Sequence, residues 1–158
     1  MLDLHPMNLE DVDSFVALRR LALKTDPDAF PWQPDEDPSS KSEAVRERMS
    51  NANPSDGPFM IGAFDPGLIG VVGVIRVSED IASLWGMYVH PDWRRRGIGC
   101  MLLQEIQQLA RGLPGVKQVV LSVAQSEEPA IRLYCSAGFL KKGEDQGSLH
   151  MVLDVNQD

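Results

Sequence analysis

The sequence predicts an α/β fold: a mixed, largely antiparallel central sheet of about seven strands flanked by four helices. Three observations predict it. The β-rich segments between Phe59 and Val89 are joined by connections too short for a crossover, so they pair antiparallel. A β-branched run, Val116–Val123, follows a helical stripe of Leu102, Ile106 and Leu109, the arrangement of a β-loop-α-β unit with one parallel pair. The chain's 158 residues, 43% hydrophobic and 24% charged, suit a single domain over 1–158 with one core.

The elements follow in order. Leu2–Pro6 alternates apolar and polar, as a short strand does. Asn8 caps a helix whose first turn carries Glu10 and Asp11; Val12, Phe15, Leu18 and Ala22 keep helical spacing until it fades near Lys24. The prolines at 27, 31 and 34 break regular structure, and a second helix spans Ser42–Ser50. Strands are expected at Phe59–Phe64, Leu68–Val77 and Ala82–Val89, the first two joined by the turn Asp65-Pro66-Gly67. A loop over His90–Arg96 leads into a helix that begins near Gly97 and stops at Gly112 and Pro114. After the Val116–Val123 strand comes a last helix, Glu127–Ala137, with Pro129 in its first turn and Gly138 closing it. Phe139–Lys142 and Leu149–Val155 complete the sheet.

Composition narrows the partners. A formal net charge of −8 opposes a phosphate backbone, so no nucleic acid is expected, and it mildly favours a cationic acceptor. No apolar run approaches the roughly 20 residues of a membrane span, and Met1–Pro6 lacks the pattern of a secretion signal. The reading is a cytoplasmic protein with no membrane partner. Cys100 and Cys135 are expected to be reduced thiols, and three scattered histidines (His5, His90, His150) make no metal site.

One loop carries chemistry. Arg94-Arg95-Arg96-Gly97-Ile98-Gly99-Cys100 lies between a strand and a helix, where unpaired N–H groups and the positive end of the helix dipole attract anions. Glycines at 97 and 99 admit phosphate oxygens close to the backbone, and the arginines add charge. The spacing fits neither the P-loop, which needs Gly-Lys-Ser/Thr, nor the three-glycine dinucleotide fingerprint. Taken alone, it reads equally as a phosphate cradle and as a solvated basic helix start.

The flanking residues separate those readings. Leu84-Trp85-Gly86-Met87-Tyr88-Val89-His90-Pro91, followed by Arg94-x-x-Gly97-x-Gly99, resembles motif A of the GNAT superfamily of N-acetyltransferases. Pro129-Ala130-Ile131-Arg132-Leu133-Tyr134 through Gly138-Phe139 is similar to that family's motif B, and Leu18–Leu23 through Phe30 to its first helix and following loop. The resemblance covers most of the chain and implies the acyl-CoA N-acyltransferase fold, with acetyl-CoA as acetyl donor. It implies that backbone groups of Met87, Tyr88 and Val89 bind the pantetheine arm. The loop of Arg94, Arg95, Arg96, Gly97, Ile98, Gly99 and Cys100 would bind the pyrophosphate. It further implies a bulge near Gly86 and a gap between this strand and Val116–Val123 that houses the cofactor.

Acetyl transfer to an amine needs a base, an oxyanion donor and an acid. The resemblance places Tyr134 beside the departing sulfur, as the candidate acid; its helical face with Ala130, Leu133 and Ala137 fits a core role as well. No base stands out. Ser122 and Glu127 stand where protein N-terminal acetylating members often carry glutamate and asparagine, and Glu127 reads first as a helix-start carboxylate. Glu79, Asp80 or a water chain are the other candidates. Phe30, Trp32 and Trp85 are the candidate acceptor-side residues, with packing as their alternative role. The expected function is acetyl-CoA-dependent transfer to a primary amine, with a small-molecule amine ahead of a peptide amine. A protein lysine or N-terminal acetyltransferase and a non-catalytic acetyl-CoA-binding module are the alternatives. A homodimer is compatible with the sequence, which specifies no interface.

Overall fold

Asn8 begins the helical segment by a reciprocal cap: Oδ1 accepts the Glu10 N–H at 2.8 Å, and its own N–H donates to Asp11 Oδ2 at 2.9 Å. The computed structural model describes residues 1–30 and 35–155. Its elements are β1 (Asp3–Pro6), α1 (Val12–Thr25), α2 (Ser42–Ser50), β2 (Phe59–Phe64), β3 (Leu68–Arg76), β4 (Ile81–Val89), α3 (Ile98–Arg111), β5 (Gln118–Ala124), α4 (Glu128–Ser136), β6 (Leu140–Asp145) and β7 (Ser148–Asp154), with 3-10 turns between some of them.

These strands form one seven-stranded sheet in the order β1-β2-β3-β4-β5-β7-β6. Every neighbouring pair is antiparallel except β4 with β5. That parallel pair is short, joining only Ile81–Ser83 to Gln118–Val120. By contrast, β5 pairs with β7 along its whole length, from Gln118↔Asp154 to Ala124↔Ser148. Beyond Ser83 and Val120 the two strands hold to their outer neighbours, and the sheet opens.

Side-chain alternation gives the sheet two cores. Ile61, Ala63, Val72 and Val74 pack on one face beneath Leu102, Leu103 and Ile106 of α3. Met60, Val71 and Tyr88 face the other way, against Val12, Phe15, Leu18 and Ala22 of α1 and Val45 of α2. Both faces are covered, so β2 and β3 read as nearly continuous apolar runs rather than alternating ones.

Two segments differ from expectation. Val116, predicted to open a strand, is held in a turn by its N–H bond to the Leu113 carbonyl at 3.2 Å; it is buried as loop packing, not as strand. The last hairpin is longer than predicted because Gln146 (φ 50) and Gly147 (φ 83) make a tight two-residue turn that carries pairing out to Asp145 and Ser148. Glutamine gives little warning of that geometry.

Gly73 shows how tightly β3 and β4 meet. It lies opposite Trp85, and a Cβ built there falls closer than 3.0 Å to the indole ring. Gly73→Ala should therefore destabilise the protein by roughly 1–3 kcal/mol through overpacking. Gly67→Ala, in a turn with nothing within 4 Å of the added carbon, is the control. Urea midpoints of the two variants check this, and equal midpoints would show that Trp85 yields freely.

Candidate active site

The opening between β4 and β5 holds two adjoining cavities. One, of about 610 Å³, is bounded by Ser83–Met87 of β4, Leu121–Val123 of β5, Phe30, and Arg48 of α2. The second, of about 530 Å³, runs from Met87–Val89 to the loop and first turn of α3. Met87, Glu127 and Ala130 border both, so the two compartments meet there.

A bulge shapes the junction. Gly73 pairs with Trp85 but Val71 pairs with Tyr88, so Val72 faces two residues, Gly86 and Met87. Gly86 has φ +66, a conformation that favours glycine, and the bend leaves this edge of β4 without a strand partner on the β5 side. Backbone groups there are free to meet a ligand.

The second cavity ends at the start of α3. Gly97, at φ +80, turns the chain into α3, whose first internal bond runs from the Met101 N–H to the Gly97 carbonyl at 3.1 Å. The N–H groups of Ile98, Gly99 and Cys100 precede that bond and point out of the helix start. Gly99 has a packing duty as well, since a Cβ there would press on Leu133 of α4 at 2.8 Å. Arg95, at φ 65, is exposed with Arg96, whose guanidinium lies 5.9 Å from the Trp93 ring centroid. Arg94 is more committed. Its Nε donates to the Val89 carbonyl at 2.9 Å and Nη2 to Asp26 Oδ2 at 3.0 Å, tying the end of β4 to the chain after α1.

Tyr134 projects from α4 into the first cavity, nearly buried and edge-on to Phe139 with centroids 5.8 Å apart. Its hydroxyl has no hydrogen bond among the described residues. Burial, and then the nearby Glu127, push its phenol well above the usual range, so it stays protonated at neutral pH. Tyr88 differs: it borders the second cavity, but its hydroxyl is committed to Thr25 Oγ1 at 2.7 Å.

The acceptor-side residues divide. Trp85 and Phe30 line the first cavity, Phe30 with the Arg19 guanidinium 4.2 Å above its ring. Trp32 lies outside the described residues. Glu79 and Asp80 sit in the β3–β4 turn and border neither cavity. Ser122 borders the first and bonds His150 Nδ1 at 2.8 Å.

Sequence reasoning gave no part to Arg19, Arg48 and Asp37, all of which line the first cavity; Glu127, read first as a helix-start carboxylate, borders it too. Arg19 and Asp37 form a buried ion pair at 2.6 Å between α1 and the segment before α2. No spacing links residues 18 positions apart, so nothing in the sequence signals that pair. Burial, then Asp26 and Asp28, raise the Glu127 carboxyl above its ordinary range, while Arg94 opposes the rise. Among the described residues no cluster of three or more His, Cys, Asp or Glu is placed to hold a metal, and no helix is long and apolar enough to cross a membrane.

The acetyltransferase (GNAT) family model matches residues 16–139. The chain belongs to that family. Human N-acetyltransferase 8 is 30% identical over 91 residues, which are 54% of this chain and 40% of that protein. A ribosomal-protein alanine N-acetyltransferase from Salmonella typhimurium is 42% identical over 67 residues, 42% of this chain and 44% of that one. The chain thus spans less than half the length of each of these curated relatives. An N-acetyltransferase from Thermoplasma acidophilum, crystallised with coenzyme A, shares the fold of this GNAT chain at TM-score 0.78 and 19% identity, with 98% of this chain and 99% of that one covered.

Glu127 makes a prediction about stability. Because its proton is held more tightly in the folded state, it favours folding at acid pH, and that benefit is lost as pH rises through its folded pKa. Glu127→Gln should therefore raise the urea midpoint at pH 7 relative to the parent, and the gain should vanish below the ordinary carboxyl range. A gain independent of pH would show that the carboxyl is not raised.

Proposed function

We propose that this GNAT chain transfers the acetyl group of acetyl-coenzyme A directly to a primary amine, and that the acceptor is a small molecule. The observation that carries the reading is the pair of joined cavities: one with a free helix N-terminus for a pyrophosphate, the other bordered by Tyr134. Acetyl-coenzyme A supplies an activated thioester. What the chain supplies is position and proton management. N–H groups of Ile98–Cys100 hold the pyrophosphate, with Arg95 and Arg96 adding charge. Backbone along Met87–Val89, which meets no strand on the β5 side, holds the pantetheine arm and aims the thioester at the junction.

Glu127 borders both cavities and has no side-chain hydrogen bond among the described residues. It takes the amine proton, directly or through a water. The amine nitrogen then bonds the acetyl carbon, and a backbone N–H at the Gly86–Met87 bulge steadies the oxyanion. The carbon–sulfur bond breaks, Tyr134 protonates the departing thiolate, and the second proton of the acetylated nitrogen passes back to the Tyr134 oxygen. A cavity of about 610 Å³ walled from several segments suits a small acceptor, within the ~300–1,000 Å³ typical of such sites.

Release of coenzyme A thiol against a panel of amines and short peptides tests the transfer. Turnover of free amines is expected. Activity confined to peptides would move the acceptor to proteins, the kind of substrate that the Salmonella relative's name states. Tyr134→Phe should lower kcat roughly 10²-fold or more while acetyl-CoA still binds; an unchanged kcat removes Tyr134 from the mechanism.

The pyrophosphate assignment has its own check. Gly97→Asn and Gly97→Asp both tolerate the left-handed backbone, but only aspartate sets a negative charge at the helix start. By calorimetry, Asp should weaken coenzyme A at least about tenfold beyond Asn, a difference of roughly 1.4 kcal/mol. Equal affinities would put the ligand elsewhere.

A further inference from the structure

The sheet forms an apolar floor under the first cavity. Ile75 pairs with Ser83 and Gly73 with Trp85, so Ile75 and Trp85 are diagonal neighbours on one face of β3 and β4. Phe30 and Pro58 continue the wall around them. All four are only half-buried. Phe30 and Trp85 pack partly on the core beneath α1 and α2, whereas Ile75 belongs to neither core among the described residues. An isoleucine near the end of a strand that no core covers keeps hydrocarbon surface turned to the cavity, and an apolar ligand would cover it.

Charge is distributed unevenly around that floor. Arg19, Asp37, Arg48 and Glu127 border the cavity. Arg19 Nε donates to Asp37 Oδ2 at 2.6 Å, and Asp37 is only 1% exposed, so its carboxylate is closed to a ligand. Arg48 donates through Nη2 to Ser39 Oγ at 2.9 Å, and its guanidinium lies 5.1 Å from the Trp85 ring centroid. Two guanidiniums against one carboxylate leave the Trp85 end with one positive charge in excess. Glu127, the other carboxylate of the four, stands apart, where the two cavities meet.

We propose that the acceptor is a hydrophobic monoamine, with its one amine at Glu127 and an uncharged apolar body lying over Ile75 and Trp85. The inference rests on the amine-acetylation reading above and names its substrate class. A diamine or an aminoglycoside would carry a second ammonium to the end where positive charge is already in excess and no accessible carboxylate meets it. A free amino acid would hold its carboxylate on the carbon that bears the amine, and so beside Glu127, where like charges repel.

The test compares amines of matched shape with acetyl-CoA as donor: hexylamine with 1,5-diaminopentane, and phenethylamine with phenylalanine. The apolar member of each pair should lead in kcat/KM by roughly 10- to 100-fold, the range that burial of a large apolar group supplies. Ile75→Glu sets a carboxylate on the floor and should shift the hexylamine-to-diamine ratio at least about tenfold toward the diamine. Ile75→Gln, polar but uncharged, should raise KM for hexylamine without favouring the diamine. Acetyl-CoA affinity and the urea midpoint report whether each variant is folded, and the parent's own amine series decides the matter if Ile75→Glu is not.

A diamine or amino acid that equals its apolar counterpart in the parent overturns the proposal and leaves amine acetylation standing. An apolar preference that neither Ile75 variant changes overturns it too, by putting the body elsewhere. If no free amine turns over, calorimetry of N-hexylacetamide with the coenzyme A complex separates the two readings. Binding that Ile75→Gln weakens keeps the apolar site and fails the transfer; no binding in the parent fails both.

Discussion

Two strands that pair for three residues and then part determine almost everything about this molecule. β5 is bonded to β7 through seven register pairs and β4 to β3 through six, so each is committed to its own half of the sheet. Their shared edge closes only at Ile81–Ser83. Backbone N–H and C=O groups beyond that point are unmatched by any strand, a state that is costly when buried and therefore ordinarily repaired. Here it is retained where α4 and the α3 helix start converge, and the result is a cleft edged with backbone donors and acceptors. The Gly86 bulge deepens the opening by turning β4 away at the position where the two cavities meet.

The cleft's electrostatics follow from which charges are already spent. Arg94 holds Asp26 and the end of β4; Arg19 holds Asp37. These pairs are structural: Arg94 ties the chain just after α1 to the end of β4, and Arg19 ties the segment before α2 back to α1, so both rims are fixed. Removing one partner of the buried Arg19–Asp37 pair would strand the other, which is why such pairs define geometry even when their net contribution to stability is small. With them set aside, the charged side chains left bordering the two cavities are Arg95, Arg48 and Glu127.

The sequence carried the sheet clearly because β-branched runs between short turns announce strands. The two glycines before an apolar helical stripe read equally as an anion-binding helix start and as a solvated basic turn, and only the resemblance of the flanking residues separated the two. The bulge at Gly86 and the proximity of Tyr134 to the cleft were legible only through resemblance, since neither has a local pattern of its own. The acceptor cavity was barely legible. It is assembled from Phe30, Asp37, Arg48, Trp85 and Glu127, which come from separate elements and meet only when α1 and α2 pack on one face of the sheet while α4 closes from β5. Arg48 in particular sits at an ordinary position of a short polar helix, and it meets the cavity wall beside Trp85, which comes from β4.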